Sequence, residues 1–428
     1  SLFDALFTRL GIARVNTVPE FLETLKLLSL LGPLAHKNIA SMSCSGGEAG
    51  MMADLIEGRE IVFGGITPAQ KKVTLATFSN GEQVDNPLDY QTYIWHKRDQ
   101  MAATFRAHMA ANFSATVLIL DWPNNHGANP DEWDTALQAL ADASQADQHK
   151  AIVLATMAEC MPPHAIEACI AHGMAPMIGM DACLTALNHA YTIGQAFNAP
   201  APAALSIRHI SPALTTEMPP LTEAQSKYSL SQHGLSIPEG ETTKSLAQVV
   251  KVATQLGYPV TLKAVDAGLA HKTELGGVKL NLKNQTQVKH AAQSLFAMSQ
   301  TLLVEKMVQD TVLELIIGIN TDPLFGQYLV LGAGGIWVEV LKDAQSVLLP
   351  ASKNDIMQAL DQLKCAPLLK GYRGQAPADM EAIVDAVIAV LDYSHKHPVY
   401  ELDINPLLAL KKGAIAVDAL IQLGQSSL

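Results

Sequence analysis

Leu256-Gly-Tyr-Pro-Val-Thr-Leu-Lys-Ala-Val-Asp-Ala-Gly-Leu-Ala-His-Lys-Thr-Glu-Leu-Gly-Gly-Val-Lys-Leu-Asn-Leu282 reads as two short apolar strands, 260–265 and 278–282, joined by a loop rich in Gly, Lys and His. Lys263 falls near the end of the first strand, where its ammonium can leave the apolar face and meet a phosphate. The loop adds His271, Lys272 and the pair Gly276-Gly277, whose missing Cβ atoms let backbone N–H groups approach an anion. A lysine beside a glycine loop in one hairpin suits nucleotide phosphates. A plain hairpin with surface lysines has the same local pattern.

Working outward, 428 residues predict two or three domains. With 49% apolar and 16% charged residues, the chain can bury large cores. A net charge of −12 argues against a general nucleic-acid or anionic-membrane surface, while leaving room for a local basic site. The five cysteines, Cys44, Cys160, Cys169, Cys183 and Cys365, show neither a CxxC pair nor zinc spacing. They read as free thiols of a reducing cytosol, and a cytoplasmic protein is expected. No apolar run reaches the length of a membrane span. Ser1-Leu-Phe-Asp-Ala-Leu-Phe starts inside an amphipathic helix without a leader, so an upstream part of the polypeptide is expected.

Residues 2–31 read as two helices around Gly11, with Thr17 as N-cap, Pro19 in the first turn and Glu20 at the capping-box position. From 36 to about 195, strands (39–43, 115–121, 151–156, 175–178) alternate with helices (101–111, 131–143, 163–172). That order predicts a mainly parallel sheet with ligands at the carboxyl ends of its strands. The first strand runs into Ser43-Cys-Ser-Gly-Gly-Glu-Ala-Gly, a turn and helix start with Ser45, Gly46, Gly47 and Glu48. Exposed amides and the helix dipole make it a candidate anion site; an ordinary capped turn is the alternative. At other strand ends, Asp89, Tyr93, Trp95, Asp121 and Trp122 are candidates to line a substrate pocket, unless the aromatics merely plug the sheet edge. A tryptophan there could also hold a cationic group. Residues 198–220 are proline-rich and read as a linker.

The last domain, 221–428, predicts helices at 223–232, 245–256, 288–297 and 379–394. Residues 233–238 are expected to return as a strand. Further strands are expected at 301–308, 314–320, 326–340 and 400–410, the last pairing with 414–419. Carboxylates stand at alternate positions of the last strand, so Asp403 and Asn405 share a face.

Lys263, the glycine loop, Val304-Glu-Lys-Met, Glu314-Leu-Ile-Ile-Gly and Asp403-Ile-Asn-Pro-Leu follow the order of an ATP-grasp domain. More narrowly, the chain resembles the NDP-forming (ADP-forming) acyl-CoA synthetases, relatives of succinyl-CoA synthetase. His271-Lys-Thr-Glu-Leu-Gly-Gly-Val-Lys-Leu-Asn-Leu, Gly332-Ala-Gly-Gly-Ile-Trp-Val-Glu-Val-Leu-Lys-Asp and Glu401-Leu-Asp-Ile-Asn-Pro-Leu carry the likeness. It implies an α/β chain: the end of an upstream ligase domain (1–31), a flavodoxin-like doubly wound ligase domain (32–197), a linker and an ATP-grasp domain.

The resemblance further implies a ligase that makes an acyl-CoA from a carboxylic acid, CoA and ATP, through an acyl phosphate and a phosphohistidine. ATP, Mg²⁺ and coenzyme A are the implied cofactors. Lys263, with Lys272, Gly276 and Gly277, would hold phosphates. Glu305 and Met307 would sit at the adenine, and Glu314 near the ribose. Asn405 and Asp418 would ligate Mg²⁺, with Asp403 behind them or in their place. His271 would be a phosphoryl carrier, and the Ser45 helix start with Glu48 would face the phosphohistidine.

A CoA-binding domain with the main phosphohistidine is expected upstream or on a partner chain, and a homo-oligomer is expected, without nucleic acid or membrane. Two other functions fit the same residues: ATP- and CoA-dependent cleavage of a sulfonio acid such as dimethylsulfoniopropionate, or a non-catalytic ATP-binding regulatory subunit. The aromatic-rich segment 90–96 leaves the acid open.

Overall fold

The structure, a computed structural model, describes residues 1–77, 84–123, 131–205, 210–211, 219–265, 276–335 and 343–426. His271 and Lys272 lie outside them. The chain divides into two compact units, Leu6–Pro202 and Ser1–Ala5 with Ala203–Leu428. Among the described residues no helix is long and apolar enough to cross a membrane.

In the first unit β1 (Asn38–Ser43), β2 (Val62–Phe63), β3 (Leu88–Asp89), β4 (Thr116–Ile119), β5 (Ala151–Ala155) and β6 (Ala175–Ile178) form a parallel sheet. Its order is β2-β1-β4-β5-β6, with β3 also on β1. Period-two geometry sends successive side chains to opposite faces. Ile39, Val117, Ile119, Ile152, Leu154 and Met177 enter one core, packed by the helices Val18–Leu31 and Met180–Asn198. Met42, Leu118 and Val153 enter the other, packed by Arg98–Met109, Asp131–Asp147 and Pro163–Ala171. Two buried faces explain why these strands are mostly apolar without a polar alternation, and they make the sheet doubly wound. Thr17 caps the second helix by accepting from the Glu20 amide.

The strands β2 and β3 are two residues each, too short to leave a period in the sequence. Asn86 supplies the link that strand length does not. Its Nδ2 donates to the carbonyls of Ile39 and Gly64, both at 2.9 Å, and its Oδ1 accepts from Ser41 N at 3.1 Å. This amide fills the gap between the β2 and β3 ladders on β1, and so fixes Asp89 at the sheet's carboxyl edge.

The described residues of the second unit form one two-stranded pair and two larger antiparallel sheets. One has the order β10-β9-β11-β8, from β8 (Gly240–Thr243), β9 (Val260–Ala264), β10 (Val278–Leu282) and β11 (Leu302–Lys306). The helices Leu246–Leu256 and Gln285–Phe296 cover it with Val249, Val252, Val288 and Leu295. The other joins β12 (Thr311–Asp322), β13 (Gly326–Ala333), β14 (Ala344–Leu348), β15 (Val399–Leu410), β16 (Ala414–Ala416) and β17 (Leu420–Leu423). Its core takes Leu230 from Glu223–Ser231, Ile356 and Leu360 from Lys353–Asp361, and Ile383, Val387 and Val390 from Met380–Lys396.

The strand expected at 233–238 is not formed. The Ser236 carbonyl accepts one bond, from Ala416 N, and the ladder begins only at β8, beyond Pro238, which has no N–H to donate. Within the expected linker, β7 (Ile210–Ser211) pairs antiparallel with β18 (Gln425–Ser426). A two-residue pairing with the far end of the chain leaves no local signal.

Candidate functional site

Each unit brings candidate residues together. In the second, Lys263 is the fourth residue of β9, opposite Val278 and Leu303 in the neighbouring strands. Every residue of β9 is buried, Lys263 included at 5% exposure. Its Nζ donates to Glu223 Oε1 at 2.7 Å and to the Val417 carbonyl, and lies 3.3 Å from Glu305 Oε2. Lys227 Nζ donates to Glu223 Oε1 at 2.8 Å, to Glu305 Oε1 and to the Val417 carbonyl at 3.1 Å. Burial alone would push the Lys263 ammonium down. Glu223, Glu305 and Asp418 outweigh it and hold the group above its ordinary value. Burial likewise disfavours the Glu223 carboxylate, and Lys263 and Lys227 reverse that, holding its acid low.

Glu305 thus spends its carboxylate on the two lysines, while its backbone pairs with Gly240 on one side and Thr261 on the other. Met307 donates its amide to the Pro259 carbonyl at 3.1 Å, and its sulfur accepts from Thr261 Oγ1 at 3.1 Å. Gly277 closes the hairpin by accepting from Ala264 N at 2.9 Å, and Gly276 turns with φ +74°.

Glu314 and Asn405 meet through a glycine turn. Gly334 N donates to the Glu314 carbonyl at 2.7 Å, and Gly335 N to Asn405 Oδ1 at 3.4 Å. A Cβ on Gly335 would stand 1.9 Å from Glu314 Oε2, and its φ is +67°. The positive φ favours glycine there, and any Cβ would make the end of the Glu314 side chain move. Along β15, Leu402 and Ile404 enter the core while Asp403 and Asn405 take the other face. Burial, then Glu401, then Asp418 push the Asp403 carboxyl up to about 6. Among the described residues, no group of three His, Cys, Asp or Glu side chains stands arranged for a metal ion.

In the first unit, the carboxyl ends of β1, β3 and β4 gather acids. This is the crevice where strand order reverses, the usual ligand position of a doubly wound sheet. After β1 the helix Gly46–Leu55 begins at N-cap Ser45, whose carbonyl accepts from Ser43 Oγ at 2.9 Å, and Gly47 opens its first turn with Glu48. A Cβ on Gly46 would lie 3.1 Å from Asp89 Oδ2, so the missing side chain admits Asp89. Asp89 Oδ1 accepts from Gln91 N at 2.9 Å. Asp121 accepts from Thr156 N at 2.7 Å and Thr156 Oγ1 at 2.6 Å. Glu48 faces both acids. Its Oε2 is buried with no hydrogen-bond partner, and burial, then Asp121, then Asp89 raise its carboxyl to about 7. A carboxyl that titrates near neutrality can give or take a proton. Burial and Glu48 also raise the Cys44 thiol.

The aromatic candidates separate. Tyr93 is exposed, whereas Trp122 is 2% exposed, its Nε1 donating to Asp134 Oδ1 at 2.9 Å. Trp95 is half-buried, donates to Glu132 Oε2 at 3.3 Å and packs edge-on against Trp133 at 5.6 Å. Sequence reasoning passed over Glu223 and Lys227. Their i,i+4 spacing after the Thr222 cap was the available signal, and it looks like an ordinary surface pair.

An ATP-grasp domain model matches residues 213–423. The beta subunit of ADP-forming acetate–CoA ligase I from Pyrococcus furiosus is 33% identical over 221 residues, covering 50% of this chain and 95% of that subunit. The ADP-forming 4-hydroxybutyrate–CoA ligase of Nitrosopumilus maritimus is 35% identical over 205 residues, 46% of this chain and 29% of that enzyme. Among solved structures, the dinucleotide-forming acetyl-coenzyme A synthetase 1 of Ca. Korarchaeum cryptofilum, in complex with coenzyme A and Ca-AMPCP, is 32% identical. It covers 49% of this chain and 95% of the other, with a TM-score of 0.47. With nearly the whole of the Pyrococcus subunit matched, the chain belongs to the ADP-forming acyl-CoA synthetase family, through the ATP-grasp domain of its second unit.

Proposed function

We propose that the chain is part of an acid–thiol ligase that makes an acyl-CoA from a carboxylic acid, CoA and ATP with release of ADP. An acyl phosphate and a phosphohistidine are its intermediates. One observation supports this most: within the matched region, Lys263 is buried on β9, Glu314 lies on β12, and Asp403 and Asn405 share one face of β15. Transfer of a phosphoryl group depends on charge placement more than on a strong nucleophile.

In this reading Lys263, with Lys272 and the Gly276-Gly277 amides, holds nucleotide phosphates. Glu305 and Met307 border the adenine, and Glu314 the ribose. The donor set suits a hard divalent cation, being all oxygen, and burial raises Asp403 as expected for an acid short of a counter-charge. Asn405, Asp418 and Asp403 would hold Mg²⁺, which when bound supplies charge neutralisation to the phosphates. His271 carries the phosphoryl group between nucleotide and acyl site. The Ser45-Gly46-Gly47 helix start receives the phosphohistidine, with Glu48 poised for proton transfer. Asp89, Tyr93, Trp95, Asp121 and Trp122 shape the surroundings of the acid. A CoA-binding domain with the main phosphohistidine, on the same polypeptide or a partner, completes the reaction.

Labelling with γ-³²P-ATP tests the relay. An acid-labile, base-stable phosphate on the protein that His271→Ala diminishes is expected; labelling untouched by His271→Ala contradicts the carrier role.

A further inference from the structure

Lys227 donates to Glu223, Glu305 and the Val417 carbonyl, and Lys263 donates to Glu223 and the same carbonyl and pairs with Glu305 Oε2 at 3.3 Å. All four charged residues are at most 5% exposed. Lys227 has placed all three of its N–H donors on these acceptors, and Lys263 is held by Glu223 and Glu305 with Asp418 also acting on its charge. A phosphate that engages Lys263 therefore competes with buried carboxylates for the ammonium. In a buried setting the charge left behind decides whether that exchange is possible.

We propose that Lys227 is a positioning residue for nucleotide binding, the resident counter-charge that holds Glu223 and Glu305 when Lys263 turns to a phosphate. This role rests on the nucleotide reading given above. Without Lys227, two buried carboxylates would share Lys263 alone. They would grip it and repel an incoming phosphate by the same net negative charge. The helix Glu223–Ser231 fixes the lysine's position. Its Thr222–Gln225 capping box sets the first turn, and Leu230 anchors it in the core.

Calorimetric titration of the full chain with Mg-ADP tests the role through charge rather than contact. Lys227→Arg, which keeps the cation, is expected to stay within about threefold of the parent. Lys227→Met is expected to lose about tenfold or more in affinity. Lys227→Met combined with Glu223→Gln restores the parent's net charge and is expected to regain most of that loss, whereas a role in packing alone predicts losses that add.

Parent-like binding by Lys227→Met overturns the role, and so does a double variant that regains nothing. If Lys227→Met does not fold, the comparison of Lys227→Arg with the charge-matched double variant decides. Affinities within about threefold support the role, and a tenfold deficit in the double variant overturns it. A parent chain that takes up no Mg-ADP overturns the nucleotide reading itself, and this role with it.

Discussion

Gly335 stands against Glu314 so closely that a Cβ on the glycine would lie 1.9 Å from the carboxylate Oε2. The same glycine donates its N–H to Asn405 Oδ1 at 3.4 Å, so it touches polar groups of both β12 and β15, which pair directly through their own ladder. Gly335→Ala must therefore move the Glu314 carboxylate and adopt an unfavourable positive φ. A loss of about 1–3 kcal/mol is expected in urea unfolding. Glu314→Ala in the same chain removes the clash but not the backbone strain, so the double variant should be more stable than the sum of the singles by about 1 kcal/mol or more. Strict additivity would mean that the turn relaxes away from Glu314.

Glu48 gives a pH signature. Its folded carboxyl titrates near 7 against an ordinary 4.5. Between those values the folded chain binds more protons than the unfolded one, so this group's contribution to stability falls as pH rises and levels off above about 7. Glu48→Gln should remove that fall. The difference in unfolding free energy between variant and parent is expected to grow in the variant's favour from pH 5 to pH 8. A constant difference would place Glu48 in open solvent.

His108 works in the opposite sense. It lies on the helix Arg98–Met109 with neither ring nitrogen hydrogen-bonded, and burial lowers its pKa from 6.5 to about 4. Here the unfolded chain binds more protons, so stability falls as pH drops through this window. His108→Leu should resist acid, gaining on the parent by about 2–3 kcal/mol between pH 7 and pH 4. Urea midpoints at the two pH values measure it, and parallel midpoints would contradict the burial.

Removing Lys263 should act on binding and stability together. Lys263→Met leaves Glu223 and Glu305 with Lys227 as their remaining cluster cation, at a cost of about 3–5 kcal/mol for an uncompensated buried charge. Calorimetry with Mg-ADP should show no binding by the folded variant. Retained binding would move the phosphate site away from β9.

The parallel sheet was legible because β1, β4, β5 and β6 are buried on both faces, and the helix starts at Thr17, Thr222 and Ser245 because their caps are local. What could not be read is non-local. Two-residue pairings at β2, β3 and β7 carry no period, and the Asn86 bridge joins residues 45 and 22 positions away. Lys263 was legible as a lysine on an apolar strand. Its engagement with Glu223 and Lys227 depends on a helix that precedes it by a sheet strand and another helix. Glu305 was expected at the adenine, and its carboxylate pairs with Lys227 and Lys263.

A chain that serves an ADP-forming acyl-CoA ligase should turn over ATP to ADP only when an acid and CoA are both present. The most direct test is a reaction of the intact protein with Mg-ATP, CoA and a panel of carboxylic acids, with the CoA-binding domain supplied if it is a separate chain. ADP and thioester should be measured together. Equal amounts of ADP and acyl-CoA with at least one acid are predicted. Thioester formed with AMP, or no acid-dependent ADP at all, would contradict the account.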